Sequence, residues 1–291
     1  MTDPLTGATH AGHDAGTPPD PLLELARAGD WPALARLGRF ALAAQTLRIV
    51  GVAGERVDPD VAAALAGLTE VEAAVRVKAV ARAQRRLAQV DPRPPDLVDW
   101  DALAADLEAL ATAVAAIDGR EIGEARTALE TLASDAFAAE RSALLGTVAV
   151  LEGDEPQALA HFEAALARDP QHVRALTNRG NVRLEAGDVD GAIADYQRAI
   201  AVDEGFANAH HNLGVAYRRK GQLGQSVAAL RRAQRHAARR DADEARASLR
   251  GGRRAGGGRV TGAGAGRWRR WLVLGAVAGL ALWWLQRQGL L

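Results

Sequence analysis

The sequence predicts an all-α protein: an α-solenoid of helix-turn-helix units, preceded by a further helical region and followed by one C-terminal transmembrane helix. Three observations carry this prediction. Columns of small residues recur with one period through 139–238: Gly146, Gly180 and Gly214 are 34 apart, as are Gly153, Gly187 and Gly221, then Ala158, Ala192 and Ser226, then Ala165, Ala199 and Ala233. Small side chains at a fixed step let paired helices approach closely, and each pair leaves an apolar face for the next to cover. Upstream, apolar residues recur at helical spacing. The chain then ends in an apolar run bracketed by tryptophans, the pattern of a membrane-spanning helix.

Composition narrows the chemistry. The 291 residues include no Cys, which removes disulfides, thiol nucleophiles and Cys-ligated metals. The formal net charge is zero, but the charges are segregated. Between positions 231 and 270 lie thirteen Arg against Asp241, Asp243 and Glu244, while residues 1–230 hold 33 acids against 22 bases. An acidic body is thus joined to a basic collar.

Residues 1–20 are rich in Gly, Thr, Pro and Asp without a periodic apolar face, the composition of a disordered tail. This start also lacks the basic and apolar segments of a secretory signal, so the body is expected in the cytoplasm. His10 and His13 have no third ligand nearby and read as solvated. Residues 21–90 read as helical. Leu22, Leu23 and Leu25 open a short helix that stops near Gly29; Leu34, Leu37, Phe40, Leu42 and Leu47 mark a second; Val61 and Leu65 suggest a third after Asp58-Pro59. Thr69 with Glu72 three residues on predicts a capping box opening a fourth, which runs to Leu87. This region is either a small bundle or worn helix pairs of the same solenoid. Residues 91–98, with three prolines, predict an extended linker and a boundary. Over 99–138, Leu103 to Ile117 form a helix, Gly119 turns the chain, and Ile122 to Leu132 form its partner. Gly119 lies 34 before Gly153, yet Ala125 is one residue late for the column of Ala158, so this unit reads as a degenerate repeat.

Three units follow, at 139–172, 173–206 and 207–240. Leu145-Gly146, Ala158, Phe162 and Pro170 fit an L-G…A-x3-F…P pattern; Arg179-Gly180, Ala192 and Tyr196 fit it again; Leu213-Gly214 and Tyr217 fit it a third time, with Ser226 and Leu230 in the later places. These units resemble the tetratricopeptide repeat. Arg179 for Leu and Glu204 for Pro are departures from that pattern.

The resemblance implies a concave groove lined by the first helix of each pair. Asn178 and Asn212 stand 34 apart on that helix, and a side-chain amide, both donor and acceptor, suits holding the backbone of an extended peptide. Arg174, Thr177, Asn181, Asn208, His211 and Arg218 are expected on the same face. The implied partner is a protein or peptide, and the acidic body favours a basic one. Ala143 and Thr147 stand where chaperone-binding members carry Lys and Asn, which disfavours chaperone tails. His210 and His211 point about 100° apart and share no metal; His161 and His172 read as repeat-surface residues. Neither a cofactor nor a metal is expected, and no catalytic signature appears, so the protein reads as a binding protein and not an enzyme.

After 240, residues 241–250 are expected as a capping helix, 251–267 as a Gly/Arg linker, and 268–291 as a tail anchor. The uncharged run 271–285 is about 22 Å long as a helix, against a hydrocarbon core of about 30 Å. Trp268, Trp271, Trp283 and Trp284 bracket it. Arg267, Arg269 and Arg270 precede it, which favours a cytoplasmic body and contact with anionic lipid headgroups. Gly275 and Gly279 form a GxxxG face suited to self-association. A second reading makes the chain a nucleic-acid-associated regulator acting through its Arg collar; the absence of aromatics between 231 and 266 disfavours it.

Overall fold

The computed structural model describes residues 21–255, and within them all regular structure is helical. Thirteen α-helices follow in order: α1 (Pro21–Arg27), α2 (Trp31–Arg36), α3 (Phe40–Val52), α4 (Pro59–Arg76), α5 (Val80–Ala88), α6 (Trp100–Gly119), α7 (Ile122–Glu130), α8 (Ala138–Glu152), α9 (Glu155–Arg168), α10 (Val173–Glu185), α11 (Val189–Val202), α12 (Ala207–Arg219) and α13 (Leu223–Ala255). A 3-10 turn, Asp135–Phe137, precedes α8. The residues of the expected membrane anchor and headgroup contacts, 267–291, lie outside the described region, as does the 1–20 tail. Among the described residues no helix is long and apolar enough to cross a membrane.

The 34-residue step is a packing rule in the fold. Helices α9, α11 and α13 begin at Glu155, Val189 and Leu223, each one step after the last. Gly153, Gly187 and Gly221 precede them with φ of 80°, 88° and 79°, the left-handed turn that breaks one helix and starts the next. Asp154 and Asp188 then cap α9 and α11 by accepting from Gln157 N and Gly191 N. The other glycine column has a different cause. A Cβ on Gly146 would stand 2.6 Å from the Phe162 ring, and one on Gly180 2.7 Å from the Tyr196 ring. Both rings are fully buried, so the glycines mark where α8 meets α9 and α10 meets α11.

The same register extends upstream, where glycine does not announce it. A left-handed residue is followed five positions on by a buried small residue and nine on by a large one: Gly153, Ala158 and Phe162; Arg120 (φ 61°), Ala125 and Leu129; Lys78 (φ 58°), Ala83 and Leu87; Gly38 (φ 69°), Ala43 and Leu47. The turn between α6 and α7 is therefore made by Arg120 and not by Gly119. Arg120 lies 33 before Gly153, as Ala125 does before Ala158, so the mismatch in the Ala column was the true register and the Gly119 match a coincidence. An L-residue held left-handed costs roughly 1–2 kcal/mol. Because Arg120 is exposed, Arg120→Gly is expected to raise the unfolding free energy by about 0.5–1 kcal/mol, net of the extra entropy glycine gains unfolded. Urea denaturation with an unchanged m-value would show it, and a loss of stability would contradict the assignment.

Three further expectations change upstream. The helix predicted from Leu34 to Leu47 breaks at Gly38, where a Cβ would lie 2.1 Å from the Ala136 carbonyl oxygen. Thr69 and Glu72 form no capping box. They sit inside α4, where the Thr69 hydroxyl donates to Leu65 O at 2.8 Å, and Glu72 instead accepts from Ala41 N at 2.9 Å. The break that was expected near Thr69 falls at Lys78. Residues 91–98 are no extended spacer: Leu97 and the adjoining Val90 are buried in one apolar core running from Leu34 to Val148, and Arg93 stacks 5.6 Å from the Trp100 ring.

Downstream, the helix expected at 241–250 is not separate. It continues α13, which extends through 251–255 of the expected Gly/Arg linker to Ala255. The compact unit ends at His236. From Ala237 onward α13 belongs to a second unit, in which Arg246 pairs with Asp243 at 3.3 Å.

Candidate functional site

The expected groove residues fall into three groups. The first is a pair of amide contacts that follow the repeat. Asn178 Nδ2 on α10 donates to Thr147 Oγ1 on α8 at 3.4 Å, and Asn212 Nδ2 on α12 donates to Asn181 Oδ1 on α10 at 2.7 Å. Thr147 to Asn181 and Asn178 to Asn212 are both steps of 34, so this is one contact made twice between successive first helices. Asn181 Oδ1 also accepts from the Tyr196 hydroxyl at 2.9 Å. Burial is the largest influence on that phenol and pushes its pKa up, so Tyr196 stays a neutral donor. Asn178 and Asn212 are partly buried, and each commits one N–H to its neighbour. The second group, Asn208, His211 and Arg218 on α12, is exposed.

The third group is withdrawn from solvent. Thr177 is buried, and its hydroxyl donates to Val173 O at 2.9 Å. Arg174 pairs with Glu140 and reaches Val75 O at 3.4 Å, so its charge is spent inside the protein. The departure at Arg179 has a local explanation: Arg179 and Arg183 on α10 both bind Asp195 on α11, which is 1% exposed.

The reading of the histidines is corrected in part. His172 is not on the repeat surface. It is 6% exposed and caps α10 by accepting from Ala175 N at Nδ1, which leaves Nε2 as the donor to Glu140 at 3.1 Å. His210 is buried and stacks on His236 with ring centroids 5.1 Å apart, whereas His211 is exposed. Among the described residues no group of three or more His, Cys, Asp or Glu is placed to hold a metal.

Sequence reasoning missed a buried ionic cluster where α3 and α4 meet α8 and the α9–α10 loop. Asp169 Oδ2 accepts from Arg39 and Arg76, each at 3.0 Å, although these arginines lie 130 and 93 positions upstream. Burial pushes the Asp169 carboxyl up, but the two guanidiniums outweigh it and hold its pKa down. Burial likewise pushes Glu140 up, and Arg174 with His172 overcomes it, holding Glu140 at about 2. Beside this cluster lies a cavity of about 220 Å³ walled by α1, Leu37, Val75 and Phe137.

One family profile matches part of the region that carries the amide row, from beyond Asn178 to beyond Asn212. Residues 180–221 match the TPR repeat profile. The matched segment covers the second half of α10, all of α11, and α12 through Gly221. No curated protein sequence matches the chain. Among solved structures, a crystal structure of MamA is 20% identical, covering 59% of this chain and 96% of that one at a TM-score of 0.39. YrrB, described as a TPR protein with an unusual peptide-binding site, is also 20% identical, covering 60% of this chain and 86% of that one at 0.37. MamA from Desulfovibrio magneticus RS-1 is 16% identical, covering 64% and 99% at 0.38.

Proposed function

We propose that the protein is a scaffold or assembly factor that binds a segment of a partner protein along the first helices of its repeats and holds it at a membrane through 268–291. The repeated amide contact supports this reading most directly. It fixes Asn178 and Asn212 one repeat apart and orients them, while each keeps an oxygen and a second N–H for the backbone of an extended peptide. In this reading 139–172, 173–206 and 207–240 act as three successive units, and binding rather than catalysis is the activity. The partner is not selected by an acidic groove. Asn208, His211 and Arg218 are exposed on the helix that carries Asn212, and the acids Glu185 and Asp190 are paired with Arg219 and Lys220. Backbone recognition therefore outweighs charge selection.

Arg174 and Thr177 are left out of the contact set, since both are committed internally. Arg267, Arg269 and Arg270 are assigned to anionic headgroups, and Gly275 with Gly279 to pairing between anchors. A cytoplasmic body belongs to the same proposal. The double variant Asn178→Ala/Asn212→Ala is expected to weaken partner capture at least tenfold, roughly 1.4 kcal/mol, with helicity unchanged. Undiminished capture by the folded variant rejects the groove. Membrane fractionation with and without 268–291 tests the tether, which fails if the full chain is released by carbonate.

A further inference from the structure

We infer that the end face of the repeats, formed by the last turn of α12 and the part of α13 before Ala237, docks an acidic amphipathic helix of a partner protein. The seat is defined by its internal counterpart. On α10 and α11, Leu184 and Ile193 are buried and Val189 is half-buried, in one apolar cluster with Leu213 and Ala216 of α12. One step of 34 further on, the same three places hold Arg218, Val227 and Leu223. All three are exposed, Leu223 by 65% and Val227 by 48%. Among the described residues no helix follows to cover them, since α13 is the last and runs unbroken to Ala255. Stacked helix pairs leave such a face at the end of the row for another helix to cover.

Charge then selects the occupant. Helix α12 meets its own seat with basic residues: Arg219 pairs with Glu185 at 2.9 Å and Lys220 with Asp190 at 2.5 Å, while Gln197 Nε2 donates to the Tyr217 hydroxyl at 3.1 Å. At the end face the counterparts of Glu185, Asp190 and Gln197 are Arg219, Gly224 and Arg231. Two acids are gone and two guanidiniums stand in the row. From Leu223 to His236 the chain has Arg231, Arg232 and Arg235 and no acid, and among the described residues no acid pairs with Arg218 or Arg231. A second helix like α12 would bring cations against these cations. A helix of the same apolar spacing, with acids in the places of Tyr217 and Arg219, brings the complementary charge. The same rule disfavours a second copy of this face, whose guanidiniums would oppose these.

The test is fluorescence anisotropy of the full chain with two labelled peptides of sequence 206–221, one unaltered and one carrying Tyr217→Glu and Arg219→Glu. The altered peptide is expected to bind saturably, and the unaltered one roughly tenfold more weakly. Val227→Asp, at an exposed position that leaves the fold intact, is expected to weaken the altered peptide by about tenfold. Arg231→Glu is expected to remove most of the preference between the two peptides. Equal binding of the peptides to the wild type overturns the charge assignment, and an unchanged isotherm in folded Val227→Asp overturns the location. Absence of saturable binding by the altered peptide overturns the seat. A wild type that sediments as a dimer, and becomes monomeric on Val227→Asp, gives the face to a second copy and overturns the proposal. Asn178→Ala/Asn212→Ala is expected to leave the altered peptide's isotherm unchanged, which separates this seat from the partner groove; weakened binding there places the peptide in the groove and overturns the seat.

Discussion

Asp169→Ala is expected to destabilise the protein by about 3 kcal/mol, because removing one member of a buried ion cluster leaves the others uncompensated. The effect falls at the low end of the usual 3–5 kcal/mol range for such deletions, since Arg76 is 35% exposed and keeps Glu72 at 3.1 Å. Arg39, 18% exposed and already carrying an unpartnered Nε, takes most of the penalty. The pH dependence provides a second readout. Glu140 and Asp169 both have folded pKa values below their ordinary ones, Glu140 at about 2 against 4.5. Carboxylates shifted in this direction contribute fully above their unfolded pKa and lose that contribution as pH falls toward the folded one. Wild-type stability is therefore expected to fall as pH drops from about 4.5 toward 2, and Asp169→Ala to fall less steeply over that range. Urea unfolding at a series of pH values measures both. Parallel curves for the two proteins would show that Asp169 does not belong to the acid-sensitive cluster.

That cluster also explains where the sequence is opaque. The periodic part was legible because each residue in it answers a local demand repeated at one step: a left-handed turn at Gly153, Gly187 and Gly221, a close helix approach at Gly146 and Gly180, a cap at Asp154 and Asp188. Upstream the same turns are made by Lys78 and Arg120, which give no outward sign of φ above zero, and the glycine that does match, Gly119, is out of register by one. Gly38 looked like an interior residue because its reason is tertiary, the Ala136 backbone about a hundred positions away. The proposed groove divides similarly. The equivalence of Asn178 and Asn212 was legible because they repeat, but the burial of Arg174 was not. It depends on Val75 and Glu140, 99 and 34 residues away, and no spacing rule links a repeat to the helices that cover it.

Gly146→Ala puts the packing account of the glycine column to a direct test. The new Cβ would lie within 2.6 to 2.9 Å of three atoms of the Phe162 ring, and the expected cost is about 1–3 kcal/mol, the usual range for overpacking. The ring is fully buried, so it has no solvent to retreat into and must press on the side chains around it. Phe162→Leu alone opens a space and is expected to cost roughly 1–2 kcal/mol, less than full truncation to alanine. Combined, the two changes offset each other, because the smaller side chain leaves room for the methyl group. The double variant should be more stable than the sum of the single losses predicts by about 1 kcal/mol. Compensation is expected to be partial. The third pair already has leucine in this place, and there a Cβ on Gly214 would still meet Leu230 Cγ at 2.7 Å. Additivity within about 0.5 kcal/mol would mean that the ring does not set the requirement for glycine, and that the column at 146, 180 and 214 reflects the approach of the helix backbones themselves.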